Sequence, residues 1–185
     1  MRLDGELKYD DIYYIIMSSE TDSYSAVDDG SIACVSGYFD PIHVGHIEYF
    51  KQSKNIAQKL MVIVNNDEQA VLKKGRAFMP VDERIRIIRE LRCVDYVVKS
   101  IDTDRTVCRT LASVNPRPTF FCNGGDQNNH SIPEAAVCDE LGIELRDGFG
   151  DKIQSSSWLI QGAGAGSAVG VSIKTDDFEK RQRGG

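Results

Sequence analysis

One pattern limits what this chain can fold into more than any other. Between Ile32 and Leu145, short runs of apolar, often β-branched residues alternate with longer segments of helical spacing. Ile32–Val35, Leu60–Val64, Val94–Val98, Thr119–Cys122 and Ile143–Leu145 read as strands. Gly45–Gln58, Val81–Leu91, Arg105–Val114 and Ser131–Leu141 read as helices. Ile85, Ile87, Ile88 and Leu91 give the second of these a broad apolar face, and Ser131-x-x-Glu134 gives the last a capping-box spacing, with Gly142 as its stop. Strand–helix alternation with brief connections predicts the α/β class, with a parallel sheet covered on both faces. Such sheets bind ligands beyond the carboxyl ends of their strands. The loops after Val35, Val64, Cys122 and Leu145 are therefore where function is expected.

Composition sets the limits of that body. The chain has 185 residues and a net charge of −6. Residues 1–30 carry that whole imbalance and read as an acidic extension, while Ser31 onward is balanced. Residues 31–161 read as one domain, and 162–185, which open Gly-Ala-Gly-Ala-Gly, as a Gly/Ala-rich flexible tail. The acidic total argues against a nucleic-acid partner. The sequence shows neither a run near the ~20 apolar residues of a membrane-spanning helix nor a signal peptide. Five scattered cysteines without a C-x-x-C pair suggest reduced thiols and a cytoplasmic setting. Cys34 and Cys122, inside apolar runs, read as core.

The most informative stretch follows the first strand: Ser36-Gly37-Tyr38-Phe39-Asp40-Pro41-Ile42-His43-Val44-Gly45-His46. Two of the chain's three histidines lie there, three residues apart, at a strand-to-helix junction. A helix start offers unpaired N–H groups and the positive end of a dipole, which together favour phosphate. Gly45 would let backbone approach a ligand. Imidazoles can donate to phosphate oxygens, and a bound anion would favour their charged form. Capping or surface histidines are the plain alternative. Zinc is disfavoured because no further ligand stands nearby in sequence. Between Lys73 and Arg92, seven basic residues face Asp82, Glu83 and Glu90, a field able to attract a triphosphate. Arg84, Arg86 and Arg89 also suit an ordinary solvated helix face.

These residues resemble those of a known family. GYFDPIHVGH is similar to the G-x-F-D-x-x-H-x-G-H signature of the cytidylyltransferase-like nucleotidyltransferase superfamily. Leu72-Lys73-Lys74-Gly75 with Pro80-x-x-x-Arg84 resembles that family's lysine loop and the helix after it. Arg92–Val97 is similar to the R-Y-V-D-x-V segment of glycerol-3-phosphate cytidylyltransferase. Asn123-Gly124-Gly125-Asp126 resembles the G-G-D loop of heptose-phosphate adenylyltransferases, and Ser155-Ser156-Ser157 the I-S-S-T turn at a late helix. The matches run in family order from about Ile32 to Ile160.

The resemblance implies a Rossmann-like five-stranded parallel sheet with helices on both faces. It also implies a reaction in which a substrate phosphate attacks the α-phosphorus of a nucleoside triphosphate and releases pyrophosphate. His43 and His46 would donate to phosphate oxygens, with Lys73 and Lys74 as mobile cations. Gly37, Tyr38, Phe39, Asp40 and Gly45 would form the phosphate loop, with Asp40 orienting it or reaching the outer shell of a Mg2+ carried by the triphosphate. Gly124, Gly125 and Asp126 would meet the nucleoside, and Ser155, Ser156 and Ser157 the outer phosphates. Arg92 would serve structure, near a homodimer interface in related enzymes. The expected reaction is CMP transfer from CTP to a small phosphorylated or phosphonate acceptor. Adenylyl transfer from ATP to a sugar phosphate is the alternative, and a non-catalytic nucleotide-binding module the alternative of another class. An aminoacyl-tRNA synthetase fragment is disfavoured by the lack of a K-M-S-K-S-like partner.

Overall fold

The computed structural model describes residues 30–124 and 132–149. Within them the chain forms the expected α/β fold. Its elements are β1 (Ile32–Gly37), α1 (Val44–Lys54), β2 (Lys59–Val64), α2 (Asp67–Lys74), α3 (Val81–Arg89), β3 (Tyr96–Lys99), α4 (Cys108–Ser113), β4 (Phe120–Gly124), α5 (Glu134–Leu141) and β5 (Glu144–Phe149). All pairings are parallel and the strand order is β3-β2-β1-β4-β5. The chain builds outward from β1 to β3, then crosses back to place β4 on the other side of β1. The switch point therefore lies between β1 and β4.

Strand residues alternate between two cores, as the pleat requires. Ala33, Val35, Leu60, Val62, Val64, Val97 and Cys122 face α1 and α3, meeting Tyr49, Phe50, Val81, Ile85 and Ile88. Ile32, Cys34, Met61, Ile63, Val98 and Phe121 face α4 and α5, meeting Leu111 and Cys138. Both faces are covered, which explains the unbroken apolar runs. Cys34 and Cys122 are core residues, and burial pushes both thiols up, Cys122 to about 12.

Four local expectations change. The segment read as a lysine loop is a helix, α2, with Lys73 and Lys74 in its last turn. It starts at Asn66, whose side chain accepts from Gln69 N–H while Gln69 returns a bond to Asn66 N–H, and it stops at Gly75 with φ +79°. The first helix begins one residue earlier than expected, so Gly45 sits inside its first turn. The helix expected from Arg105 begins only at Cys108, leaving Arg105 in the loop after β3. The last helix starts at Glu134, so Glu134 is not the third residue of a box. Its carboxylate instead accepts from Val107 N–H at the start of α4. Ser131, the acidic extension before Gly30, residues 150–161 and the Gly/Ala-rich tail lie outside the described residues.

Among the described residues, Arg84 is the largest fully buried side chain. It donates to four oxygens: Met79 O (3.0 Å), Tyr38 O (2.7 Å), Asn65 O (2.8 Å) and Asp67 Oδ1 (2.6 Å). A planar guanidinium serves such divergent acceptors, and a lysine cannot. Arg84→Lys and Arg84→Met are each expected to cost about 3 kcal/mol or more, because buried carbonyls lose their donors. A shift of the urea midpoint at unchanged slope would show it, and wild-type stability in either variant would refute it.

Candidate active site

The carboxyl ends of β1 and β2 carry the candidate residues. After β1 the chain turns at once, and Phe39 takes φ +49°, a left-handed conformation uncommon for a bulky residue. Such a conformation costs of order 1–3 kcal/mol and persists only where packing over-determines it. Here the Phe39 ring is buried edge-on against His46 and Phe50, with both centroids 5.0 Å away. A Cβ on Gly37 would lie 2.8 Å from Phe39 Cζ, so the glycine makes room for this ring. The next residue, Asp40, is fully buried. Its Oδ2 accepts from Phe78 N–H (2.8 Å) and its Oδ1 from Met79 N–H (2.7 Å). In Gly37, Phe39 and Asp40, expected at the nucleotide, the missing side chain, the ring and the carboxylate thus shape the loop. Asp40's carboxylate is committed to backbone.

His43 is the N-cap of α1 and His46 stands in its first turn. Their rings stack with centroids 3.6 Å apart, and His43 N–H donates to His46 Nδ1 (3.2 Å). That bond makes Nδ1 an acceptor, so the neutral ring of His46 carries its proton on Nε2. Burial, then the charges of His43 and Lys74, hold the pKa of His46 at about 3. Burial and Lys74 also lower that of His43. In the free protein the charged form of both rings is therefore disfavoured. They present neutral N–H donors.

Charge comes from α2. Lys74 Nζ donates to Asp40 O (2.9 Å) and lies 5.7 Å from the Tyr38 ring centre; Lys73 Nζ lies 4.4 Å from the same centre. Both are cation–π distances. Desolvation lowers the pKa of each lysine. For Lys73, Lys74 and Arg105 lower it further; for Lys74, Asp40 opposes the shift and Arg84 adds to it. Tyr38, Lys73, Lys74, His43 and His46 are thus brought together.

One further expected residue stands at the same carboxyl edge of the sheet, since Val35 pairs with Cys122 in parallel register. Gly124 ends β4, and a Cβ there would come within 3.2 Å of Phe149 O and the Tyr49 ring. Its missing side chain serves packing between α1, β4 and β5. Gly125, Asp126 and Ser155–Ser157 lie outside the described residues. Arg92–Val97 runs into the amino end of β3, where Asp95 accepts from Lys54 Nζ (2.6 Å) and Leu60 N–H (2.7 Å). That is the opposite end of the sheet from the histidines.

Sequence reasoning missed Asn66, Gln69 and the loop after β3. Asn66 Nδ2 donates to Ser100 O (3.0 Å) and Asp102 O (2.9 Å), and Gln69 Nε2 to Asp104 O (2.7 Å) and Thr106 O (2.6 Å). The signal was present: Asn66-x-x-Gln69 has capping-box spacing and Gly75 suits a helix stop.

Comparison with known proteins agrees with the α/β fold. The sequence profile described as cytidylyltransferase-like matches residues 34–146. The Bifunctional protein HldE of Streptomyces coelicolor is 32% identical over 115 residues, covering 61% of this chain and 24% of that protein. Its namesake from Shewanella sp. strain ANA-3 is 32% identical over 130 residues, 68% of this chain and 26% of that protein. The chain thus spans about a quarter of these curated relatives. Among solved structures, a lipopolysaccharide core biosynthesis protein from Thermoplasma volcanium is 28% identical with a TM-score of 0.53, covering 63% of this chain and 93% of that one. A bifunctional NMN adenylyltransferase/ADP ribose pyrophosphatase from Francisella tularensis shares the fold at 13% identity, with a TM-score of 0.51 and coverage of 71% and 41%.

The neutral histidines make stability depend on pH. His46 titrates near 6.5 when unfolded and at about 3 when folded, so protons bind the unfolded chain better. Its contribution is complete above about pH 6.5 and declines as pH falls toward 3, with His43 acting in the same direction. The urea midpoint should fall between pH 6.5 and 5, less steeply in His46→Asn. The His46 ring should show no NMR titration over that window. A ring that titrates near 6.5 would refute this assignment.

Proposed function

The chain belongs to the cytidylyltransferase-like family of nucleotidyltransferases, and from that membership we propose that it transfers a nucleotidyl group from a nucleoside triphosphate to a small sugar-phosphate-type acceptor. In this reaction an acceptor phosphate oxygen forms a bond to the α-phosphorus. The bond from that phosphorus to the β-phosphate bridging oxygen breaks, and pyrophosphate leaves. The protein's work is alignment and stabilisation of charge, without a covalent enzyme intermediate. The observation that carries this reading is the His46 ring, whose Nδ1 accepts from His43 N–H and whose Nε2–H is thereby kept as a donor. A donor fixed before the reaction needs no reorganisation when charge moves onto phosphoryl oxygens. Lys73 and Lys74 would add charge beside it, and Tyr38 would hold the lysine pair in place. Mg2+, expected with the triphosphate, would be held by phosphate oxygens and water, since both oxygens of Asp40 are occupied by backbone.

The preferred donor in this proposal is ATP. The sequence stretch that favoured cytosine, Arg92–Val97, runs into the amino end of β3, remote from the histidines, and its Asp95 accepts from Lys54 Nζ and Leu60 N–H. The likeness of Asn123–Asp126 to heptose-phosphate adenylyltransferases and the HldE relatives favour the adenylyl reading. CTP remains the second donor to test.

A pyrophosphate-release screen of four triphosphates against phosphorylated sugars, with Mg2+, tests the proposal. Turnover should be greatest with ATP, and His46→Ala should lower kcat by ~10²–10³ with the fold retained by circular dichroism. Turnover by no triphosphate, with nucleotide binding intact, would identify a non-catalytic nucleotide-binding module instead.

A further inference from the structure

The loop after β3 is outside every motif that suggested function, yet it is held against the candidate site by a dedicated device. Asn66 and Gln69 each use the side-chain oxygen to cap α2 and the side-chain nitrogen to hold this loop. Gln69 is fully buried, and the two carbonyls it binds belong to Asp104 and Thr106, on either side of Arg105. Asp104 is turned away from this task, since its Oδ1 accepts from both N–H and Oγ1–H of Thr106 (2.8 and 2.7 Å). The Arg105 backbone is therefore fixed relative to α2, while its side chain stays exposed.

Arg105 is near enough for its charge to act on both Lys73 and Tyr38. Among the described residues, neither Lys73 nor Arg105 takes part in an ion pair. Lys73 Nζ stands 4.4 Å from the Tyr38 ring centre, and the hydroxyl of that ring is a buried oxygen with no hydrogen-bond partner among the described residues. Burial pushes this phenol up, with Asp104 and Glu134 adding to the shift and Arg105 opposing it, so it remains a proton donor at neutral pH. Two cations that feel each other's charge repel, and a bound anion offsets that repulsion. A guanidinium on the tethered β3 loop, an ammonium and a phenol O–H are the donors that suit the oxygens of a phosphate group.

We propose that Arg105, Lys73 and the Tyr38 hydroxyl form a phosphoryl-binding subsite in which Arg105 is a specificity-determining residue. The site itself rests on the geometry of α2 and the β3 loop. The source of its phosphate, either the acceptor or the outer end of the triphosphate, rests on the nucleotidyl-transfer reading.

The test uses the full chain with orthophosphate and Mg-ATP as probes, titrated separately and followed by amide NMR shifts. Arg105→Gln, at an exposed position, should keep the fold and weaken at least one probe about tenfold, with Arg105→Lys recovering only part of the loss. A loss confined to orthophosphate assigns the subsite to the acceptor, and a loss confined to Mg-ATP assigns it to the triphosphate. Tyr38→Phe should weaken the same probe severalfold, and no change there removes the hydroxyl from the subsite. If Arg105→Gln binds both probes within twofold of wild type, the proposal is overturned. Phosphate bound through Arg105 by a chain that turns over no triphosphate would uphold the subsite and refute the transferase reading.

Discussion

The arrangement at the carboxyl end of the sheet depends on one buried cation. Arg84 comes from α3, yet it binds the loop after β1 through Tyr38 O, the end of β2 through Asn65 O, and the start of α2 through Asp67. Loops leaving adjacent parallel strands have no ladder to align them, and their carbonyls would otherwise be buried without donors. A single guanidinium supplies those donors and sets the spacing between the histidine loop and the lysine helix. Asp67 balances part of its charge from a half-exposed position, which reduces the cost of burying it.

Around this centre, side chains with two chemical ends do two jobs. Asn66 and Gln69 cap α2 with oxygen and hold the β3 loop with nitrogen, so the helix start and the loop form or fail together. Asp40 does likewise: its carboxylate fixes residues 78 and 79, and its carbonyl accepts from Lys74. Asp40, a residue expected at the ligand, instead shapes the surface on which a ligand would rest. Phe39 joins it there, its left-handed backbone held by a ring wedged beneath His46.

The alternation of apolar runs made the sheet, its parallel sense and its doubly covered faces legible, because both faces of β1 and β2 had to be buried. Position at a strand-to-helix junction likewise singled out His43 and His46, while Lys73 and Lys74 were singled out by the family resemblance. Roles that depend on direction were not. Nothing in the order of residues says that the Cβ missing from Gly124 leaves space for Tyr49, or that Arg84 turns inward while Arg86 on the same helix stays exposed. The Arg92–Val97 motif illustrates the same limit. Its residues match a family segment closely, but only the sheet reveals that they stand at the end remote from the histidines. Helix α2 was missed for another reason: the family likeness to a lysine loop overrode the Asn66–Gln69 box and the Gly75 stop.

The histidine pair shows why direction and charge are supplied separately. An imidazolium would offer both, but burial and the neighbouring Lys74 make it unfavourable at His46, where protonation waits until about pH 3. A neutral ring with its proton fixed on Nε2 gives direction only. The charge comes from the last turn of α2, on stems long enough to follow a phosphate as bonds form and break. Lys74, whose charge adds to burial in keeping the rings neutral, would approach a bound anion, and the ligand would then offset its charge. Rigid neutral donors beside mobile cations suit a reaction in which negative charge shifts between phosphoryl groups. They also explain why the chain holds the start of α2 so firmly while leaving Lys73 at its far end exposed.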